Sequence, residues 1–155
     1  MYANLFQTKK SYTDSRHIKI GRLGENCATT FLRKNGFRIL ERNFKCYAGE
    51  LDIIAAKGRH LAVFEVKTRN ALNIEHFPAI NAIDKSKLSK LRTLSRIYIN
   101  SRRVRLVRAR LVRYSIEALA VTYLQDFNSK KIAFHIEQKR IVDLDYIDED
   151  LSSAS

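Results

Sequence analysis

The chain has 155 residues, 45% of them hydrophobic, enough for one domain with a proper core and too few for two comfortable ones. Lysine and arginine number 29 against 16 acids, and a formal net charge of +13 favours a polyanionic partner, nucleic acid or an anionic membrane surface. No apolar run approaches the ~18 residues of a membrane span, and MYANLFQTKKSYTDSRH lacks the apolar centre of a signal peptide, so the expectation is a cytoplasmic protein without a membrane role.

Residues 1–17 are polar and unpatterned and read as an N-terminal extension. The domain, residues 18–146, opens with GRLGENCATTFLRKNG, where Leu23, Cys27, Phe31 and Leu32 recur at helical spacing and Gly36 stands where a helix would stop. FRILERNFKC predicts a first strand. Two runs rich in aliphatic residues, Leu51 to Ala56 and Leu61 to Thr68, flank Lys57-Gly58-Arg59-His60 and predict a hairpin. After a loop holding the only proline, Pro78, DKSKLSKLRTLSRIYIN predicts a second helix with Asp84 as N-cap. Leu88, Leu91, Leu94 or Ser95, and Tyr98 form its buried stripe. IEALAVTYL and IAFHIEQKRIVDL predict two later strands joined by a turn at Asp126 to Ser129. The end of the chain reverses sign, with Asp143, Asp145, Asp148, Glu149 and Asp150, and residues 147–155 read as an acidic, polar tail. Cys27 and Cys46 are too far apart for a CxxC unit and read as reduced packing residues. His17, His60, His76 and His135 show no zinc spacing and receive no role.

The hairpin sequence GELDIIAAKGRHLAVFEVKTR carries an unusual charge pattern. With Gly58-Arg59 as a two-residue type II′ loop, Asp52 faces Glu65 and Glu50 faces Lys67. Alternation then puts these four on one face with Ile54 and Val63, and Leu51, Ile53, Phe64 and Val66 on the other. Facing carboxylates destabilise a sheet unless a positive charge compensates. Two readings account for them: a two-sided hairpin whose polar face meets water, or a site for a divalent cation. The acid, acid-x-Lys spacing alone is common enough by chance to leave both open.

A second pattern bears on the choice. From Lys85 to Ile116 there are eleven basic residues and no acid. Without a polyanion such a run repels itself. Lys85, Lys87, Lys90, Arg92, Arg103, Arg105, Arg108 and Arg110 are therefore assigned to nucleic-acid binding. RRVRLVRARLVRY, with arginine every two or three residues, fits a strand or amphipathic segment laid along a phosphate backbone. Phosphodiester hydrolysis needs oxygen ligands for Mg²⁺ or Mn²⁺ and a cation near the nucleophile. Asp52 and Glu65 are the candidate metal ligands, and Lys67 the candidate for orienting water or offsetting charge. Glu50 is secondary, either pairing with Lys67 or reaching the metal through water.

These residues carry a resemblance. GELDIIA, followed after a gap by EVKTR, resembles the signature of the PD-(D/E)xK nuclease superfamily, and within it the YraN-like family of small bacterial proteins. GRLGENCATTFLRKNGFRILERNF is similar to that family's opening helix and strand, and AIDKSKLSKL to its post-hairpin helix. The resemblance implies an α/β fold, a restriction-endonuclease-like sandwich akin to archaeal Holliday-junction resolvases: a central mixed sheet, with one helix before the first strand and another after the catalytic hairpin. It implies a metal-dependent endonuclease acting on DNA, on branched or flapped substrates, with a homodimer by analogy. It further implies Asp52, Glu65 and Lys67 as the catalytic core, Glu25 from the first helix as a further metal-site or water-positioning acid, and Lys87 at a basic position of the second helix. As an early-turn acid, Glu25 also suits the helix dipole. Leu51 occupies the superfamily's nominal proline position, Asn81 stands where an acid is common, and Glu117 where an aspartate is. The alternative function is a nucleic-acid-binding module that keeps the fold without turnover.

Overall fold

The computed structural model describes residues 7–72, 83–101, 113–125 and 132–143, with side chains from residue 18 onward. Helix α1 (Gln7–Lys34) is followed by strands β1 (Arg38–Cys46), β2 (Gly49–Lys57) and β3 (His60–Asn70), helix α2 (Lys85–Asn100), and strands β4 (Arg113–Gln125) and β5 (Ile132–Asp143). The fold is mixed α/β. Among the described residues the strands form one sheet in the order β1-β2-β3-β4-β5, antiparallel throughout except for the parallel pair β3 and β4. Parallel neighbours need a crossover, and α2 lies in it. The Pro78 loop, residues 102–112, the Asp126 to Ser129 turn and the acidic tail beyond Asp143 lie outside the described residues.

Helix α1 starts at Gln7, well before the Gly21 start expected from apolar spacing. No glycine or proline interrupts Gln7 to Ile20, and a helix already nucleated propagates at little cost without an apolar stripe. Its end matches expectation. Gly36, at φ 82°, follows a Schellman pattern in which Phe37 N–H donates to Leu32 O and Gly36 N–H to Arg33 O. The buried row is Gly24, Ala28 and Leu32, whereas Leu23, expected in the stripe, is exposed. Small residues decide this: a Cβ on Gly24 would collide with Thr68 Oγ1 and lie 2.9 Å from its Cβ, so the α1 backbone rests directly on the Thr68 side chain of β3.

Two clusters make the core, one on each face of the sheet. On one face Leu51, Ile54, Leu61, Val63 and Ile116 pack with Leu91, Leu94 and Tyr98 of α2, and Phe44 meets Tyr98 edge-on at 5.0 Å. On the other Ile53, Ala55, Ala62, Phe64, Leu119 and Val121 pack with Ala28 and Leu32 of α1. Helix α2 has its expected cap, with Lys87 N–H donating to Asp84 Oδ1 at 2.7 Å, and buries Leu91, Leu94, Ser95, Tyr98 and Ile99. Cys27 and Cys46 are free thiols packed against opposite clusters, and burial raises the Cys27 pKa. No helix among the described residues is long and apolar enough to cross a membrane.

The hairpin holds its expected register from Lys57↔His60 to Ile53↔Phe64. Gly58 has φ 59° and Arg59 does not join it at positive φ, as a type II′ turn requires and a type I′ turn does not. The expected alternation breaks at one point. Leu51 and Ile53 should face the same way, yet Leu51 lies in the α2-side cluster and Ile53 in the α1-side cluster. Their partners on β1 do the same: Phe44 faces α2, while Arg42 reaches Glu25 and Asn26 of α1. Between these partners is Asn43 at φ 51°, a left-handed conformation that asparagine tolerates. Asn43 and Asp52 thus mark a reversal of side-chain parity across both strands.

Candidate active site

Beyond Ile53↔Phe64 the ladder between β2 and β3 ends, and the next contact is made by a side chain. Val66 N–H donates to Asp52 Oδ2 at 2.8 Å. This bond fixes the carboxylate in the gap where the strands part. Burial, and then the negative charge of Glu65, push the Asp52 pKa up to about 6 from its ordinary 3.8, and the Val66 hydrogen bond offsets only part of this. The charged group is thus held where it is disfavoured.

Glu65 is 4% exposed, which removes the reading of a polar face open to water. Lys87 Nζ lies 2.8 Å from its Oε1 and Lys67 Nζ 3.6 Å from the same atom. Its Oε2 is buried with no hydrogen-bond partner among the described residues. A buried lone acceptor of this kind is costly unless a cation or donor completes it.

Glu25 sits far along α1, so complementing the helix dipole no longer accounts for it. Its Oε2 is 3.6 Å from the Arg42 guanidinium, which also donates to Asn26 Oδ1 at 2.9 Å. Glu25 is close enough that its charge adds to the upward push on Asp52. Glu50 departs from expectation. It faces Lys45 on β1 instead of Lys67, and Lys45 Nζ takes it up at 3.4 Å, because the ladder to β3 has already ended. Both side chains of that pair are well exposed, so it adds little stability.

Asp52, Glu65 and Lys67 thus come together, Glu25 approaches from α1, and Lys87 joins from α2. Sequence reasoning placed Lys87 among nucleic-acid contacts and missed its hold on Glu65. The signal was present: the buried row Leu91, Leu94, Tyr98, continued one turn towards the N-terminus, lands on Lys87. Lys85, Lys90 and Arg92 are exposed on α2, a surface open to a polyanion. Arg103, Arg105, Arg108 and Arg110 lie outside the described residues.

The donor set fits Mg²⁺ or Mn²⁺: two hard carboxylates, one with a buried unpartnered oxygen, beside a gap between strands. Among the described residues no three acids, histidines or cysteines group as a cage by themselves. Mg²⁺ characteristically keeps several waters and takes one or two carboxylates, so two are sufficient.

Glu117 belongs to a separate polar chain. It is 1% exposed, accepts from Ser115 Oγ at 2.8 Å and from Gln138 Nε2 at 2.6 Å, and has Arg140 Nε at 3.5 Å. His60 Nε2 lies 2.8 Å from Ser115 Oγ. Ser115 spends its only proton on Glu117, so the imidazole must donate through Nε2. Burial lowers the His60 pKa, consistent with a neutral ring.

Comparison with known proteins gives relatives but no activity. A family model described as "Uncharacterised protein family UPF0102" matches residues 24–121, a span that holds Glu25, Asp52, Glu65, Lys67 and Lys87. The UPF0102 protein of Renibacterium salmoninarum is 45% identical over 78 residues, 50% of this chain and 64% of that protein. That of Dictyoglomus thermophilum is 45% identical over 85 residues, 55% of this chain and 70% of that protein. That of Paenarthrobacter aurescens is 40% identical over 92 residues, 59% and 74% respectively.

Proposed function

The chain belongs to the UPF0102 family, and from that premise and the site geometry we propose that it is a metal-dependent endonuclease of the PD-(D/E)xK kind, hydrolysing DNA phosphodiesters. The observation that carries the proposal is Glu65: a buried carboxylate with one oxygen unpartnered, next to an Asp52 whose charge the site disfavours. Lys67 and Lys87 both lie on Oε1 of Glu65, so neither takes up the buried Oε2, and a divalent cation bound between Oε2 and Asp52 would do so.

Asp52 and Glu65 would hold Mg²⁺ or Mn²⁺. When bound, such an ion lowers the pKa of a coordinated water and neutralises charge on the phosphate. Val66 N–H keeps Asp52 oriented, so the ligand is preorganised by backbone. Lys67, 3.6 Å from Glu65, orients the attacking water or meets charge developing on the phosphate. Lys87 stabilises the acidic site from α2, and Glu25, restrained by Arg42, helps position water on the α1 side. Exposed Lys85, Lys90 and Arg92 supply phosphate contacts that fix register without reading sequence.

We read the fold as restriction-endonuclease-like. A helix precedes the first strand, a hairpin splays at its acids, and a second helix crosses to a parallel strand. Kinship to junction resolvases extends this reading to branched or flapped DNA and to a homodimer. A second reading has its own support. Lys87 at 2.8 Å partly neutralises Glu65, and the described residues hold no three-ligand cage, as suits a nucleic-acid-binding module without turnover.

The test is cleavage of a labelled panel, comprising four-way junction, flap, single strand, linear duplex and RNA, in Mg²⁺ or Mn²⁺. Wild type should cut a structured DNA, and Asp52→Asn and Glu65→Gln should bind without cutting. Binding by all three proteins with no cleavage anywhere selects the binding-module reading. Binding should fall steeply with salt, as phosphate contacts demand.

A further inference from the structure

Beside the candidate active site lies a cavity of about 380 Å³, between α1 and the ends of β3 and β4. Its lining includes Gly21, Glu25, Thr68, Arg69, Asn70 and Tyr123. The volume is within the range of small-ligand sites. Two of its features suit a ligand. Arg69 Nε is buried without a hydrogen-bond partner among the described residues, although a guanidinium stays charged and its unpaired donor is costly. Gly21 faces open space, since a Cβ there would meet nothing within 4 Å. The Glu25 carboxylate on the lining has Arg42 at 3.6 Å, so it does not repel an anion at full strength.

We propose that this cavity receives one unpaired nucleotide of the strand being cut, its phosphate on Arg69 and its base against Tyr123. A phosphate gives the Arg69 guanidinium, which lines the cavity and whose Nε is buried and unpartnered among the described residues, a charge-assisted partner. Tyr123 is half-buried and supplies the aromatic surface on which unstacked bases settle. Position ties the cavity to the chemistry: Arg69 follows Lys67 by two residues on β3, and Glu25 lines the cavity as well as belonging to the acidic site. A paired base enters such a cavity only after leaving its stack, so the cavity favours DNA that already carries an unpaired nucleotide. DNA as the source of the nucleotide rests on the nuclease reading; an anion-binding cavity at Arg69 does not.

The experiment uses the full chain in an Asp52→Asn background, measuring anisotropy of a flapped duplex and of its blunt counterpart at one fixed salt concentration. Arg69→Gln and, independently, Gly21→Leu, which narrows the cavity from the α1 side, should each weaken flap binding by about tenfold and leave the blunt duplex within about twofold. Tyr123→Phe should retain flap preference and Tyr123→Leu lose it. Equal weakening of both DNAs by Arg69→Gln, or no effect of Gly21→Leu in a variant that melts like its parent, overturns the proposal. In parallel, wild type is titrated with dTMP by NMR, and binding should vanish in Gly21→Leu. If dTMP binds in an Arg69-dependent way while no nucleic acid is cut, the cavity stands and the nuclease reading falls. If DNA is cut while dTMP does not bind and flap preference is unchanged in the variants, the nuclease reading stands and the cavity proposal falls.

Discussion

In metal-free buffer, replacing Asp52 by asparagine should make the protein more stable. The Asp52 pKa is about 6 in the fold against 3.8 in the open chain, a gap that corresponds to about 3 kcal/mol disfavouring the folded, ionised form. Asparagine removes the charge and still offers an oxygen to Val66 N–H, 2.8 Å away in the wild type. The folded pKa already includes the Val66 hydrogen bond to the charged carboxylate, and asparagine keeps the neutral bond that the protonated acid would make. The gain is therefore about 3 kcal/mol at pH 8, which for a chain of this size is a rise of about 6–12 °C in Tm. The sign depends on pH in a defined way. With the folded pKa above the unfolded one, the fold takes up a proton between the two values, so the cost is absent below 3.8 and complete above about 6. Thermal melts of both proteins in EDTA from pH 4 to 8 should therefore coincide at the acid end and separate as pH rises. Adding Mg²⁺ should raise the wild-type Tm by mass action and leave the variant unmoved. A variant that melts at or below wild type at pH 8 in EDTA would refute the claim that Asp52 is held against its electrostatic preference.

Lys87→Ala removes the 2.8 Å partner of Glu65 and should lower the metal-free Tm by the equivalent of about 1–2 kcal/mol, discounted for the partial exposure of the lysine. The same variant should show a larger Mg²⁺-induced rise than wild type, because Lys87 and the ion compete for one carboxylate; an equal or smaller rise would place Lys87 outside that competition. Gly24→Ala should destabilise by about 1–3 kcal/mol through the collision with Thr68, and Thr68→Ala should recover part of the loss in a double-mutant cycle; additive effects would refute the close packing. For His60, ¹⁵N chemical shifts should report the Nε2–H tautomer at pH 7 and a pKa below 6.5, so acidification through that value costs stability in the Asp52→Asn background as the unfolded ring takes up a proton the folded one resists. An Nδ1–H tautomer would break the inferred donor chain from His60 to Glu117.

Local chemistry made much of this molecule legible. Gly58 announces its turn, and a two-residue loop dictates the Ile53↔Phe64 register, so counting brings Asp52 near Glu65, although the ladder stops one pair short of them and Asp52 bonds Val66 N–H instead. Asp84 caps α2 because its side chain can reach an N–H two or three residues on, a purely local relation. What stayed hidden depends on contacts distant in sequence. Strict alternation assigned Leu51 to the wrong face, because nothing in NFKC declares that Asn43 adopts φ 51°. Glu50 was matched with Lys67 by extending a ladder whose last pair is Ile53↔Phe64, beyond which the Asp52 side chain replaces backbone pairing. Leu23 looked like core until the close approach of Gly24 to Thr68 fixed the rotation of α1. Lys87 was read by its charge, when its place on the helical row was the better guide.

The reversal at Asn43 has a consequence for anyone wishing to transplant the candidate site. Asp52, Glu65 and Lys67 all lie on β2 and β3, which invites excision of the hairpin as a minimal unit. Yet the reversal of parity at the aspartate is shared with a different strand, where Asn43, between the partners of Ile53 and Leu51, is left-handed. A graft lacking β1 would carry the candidate residues and the Val66 bond but lose the strand that shares the reversal. The smallest portable unit therefore begins before the motif, and an insertion or deletion next to Asn43 should disable the site as effectively as removing a carboxylate.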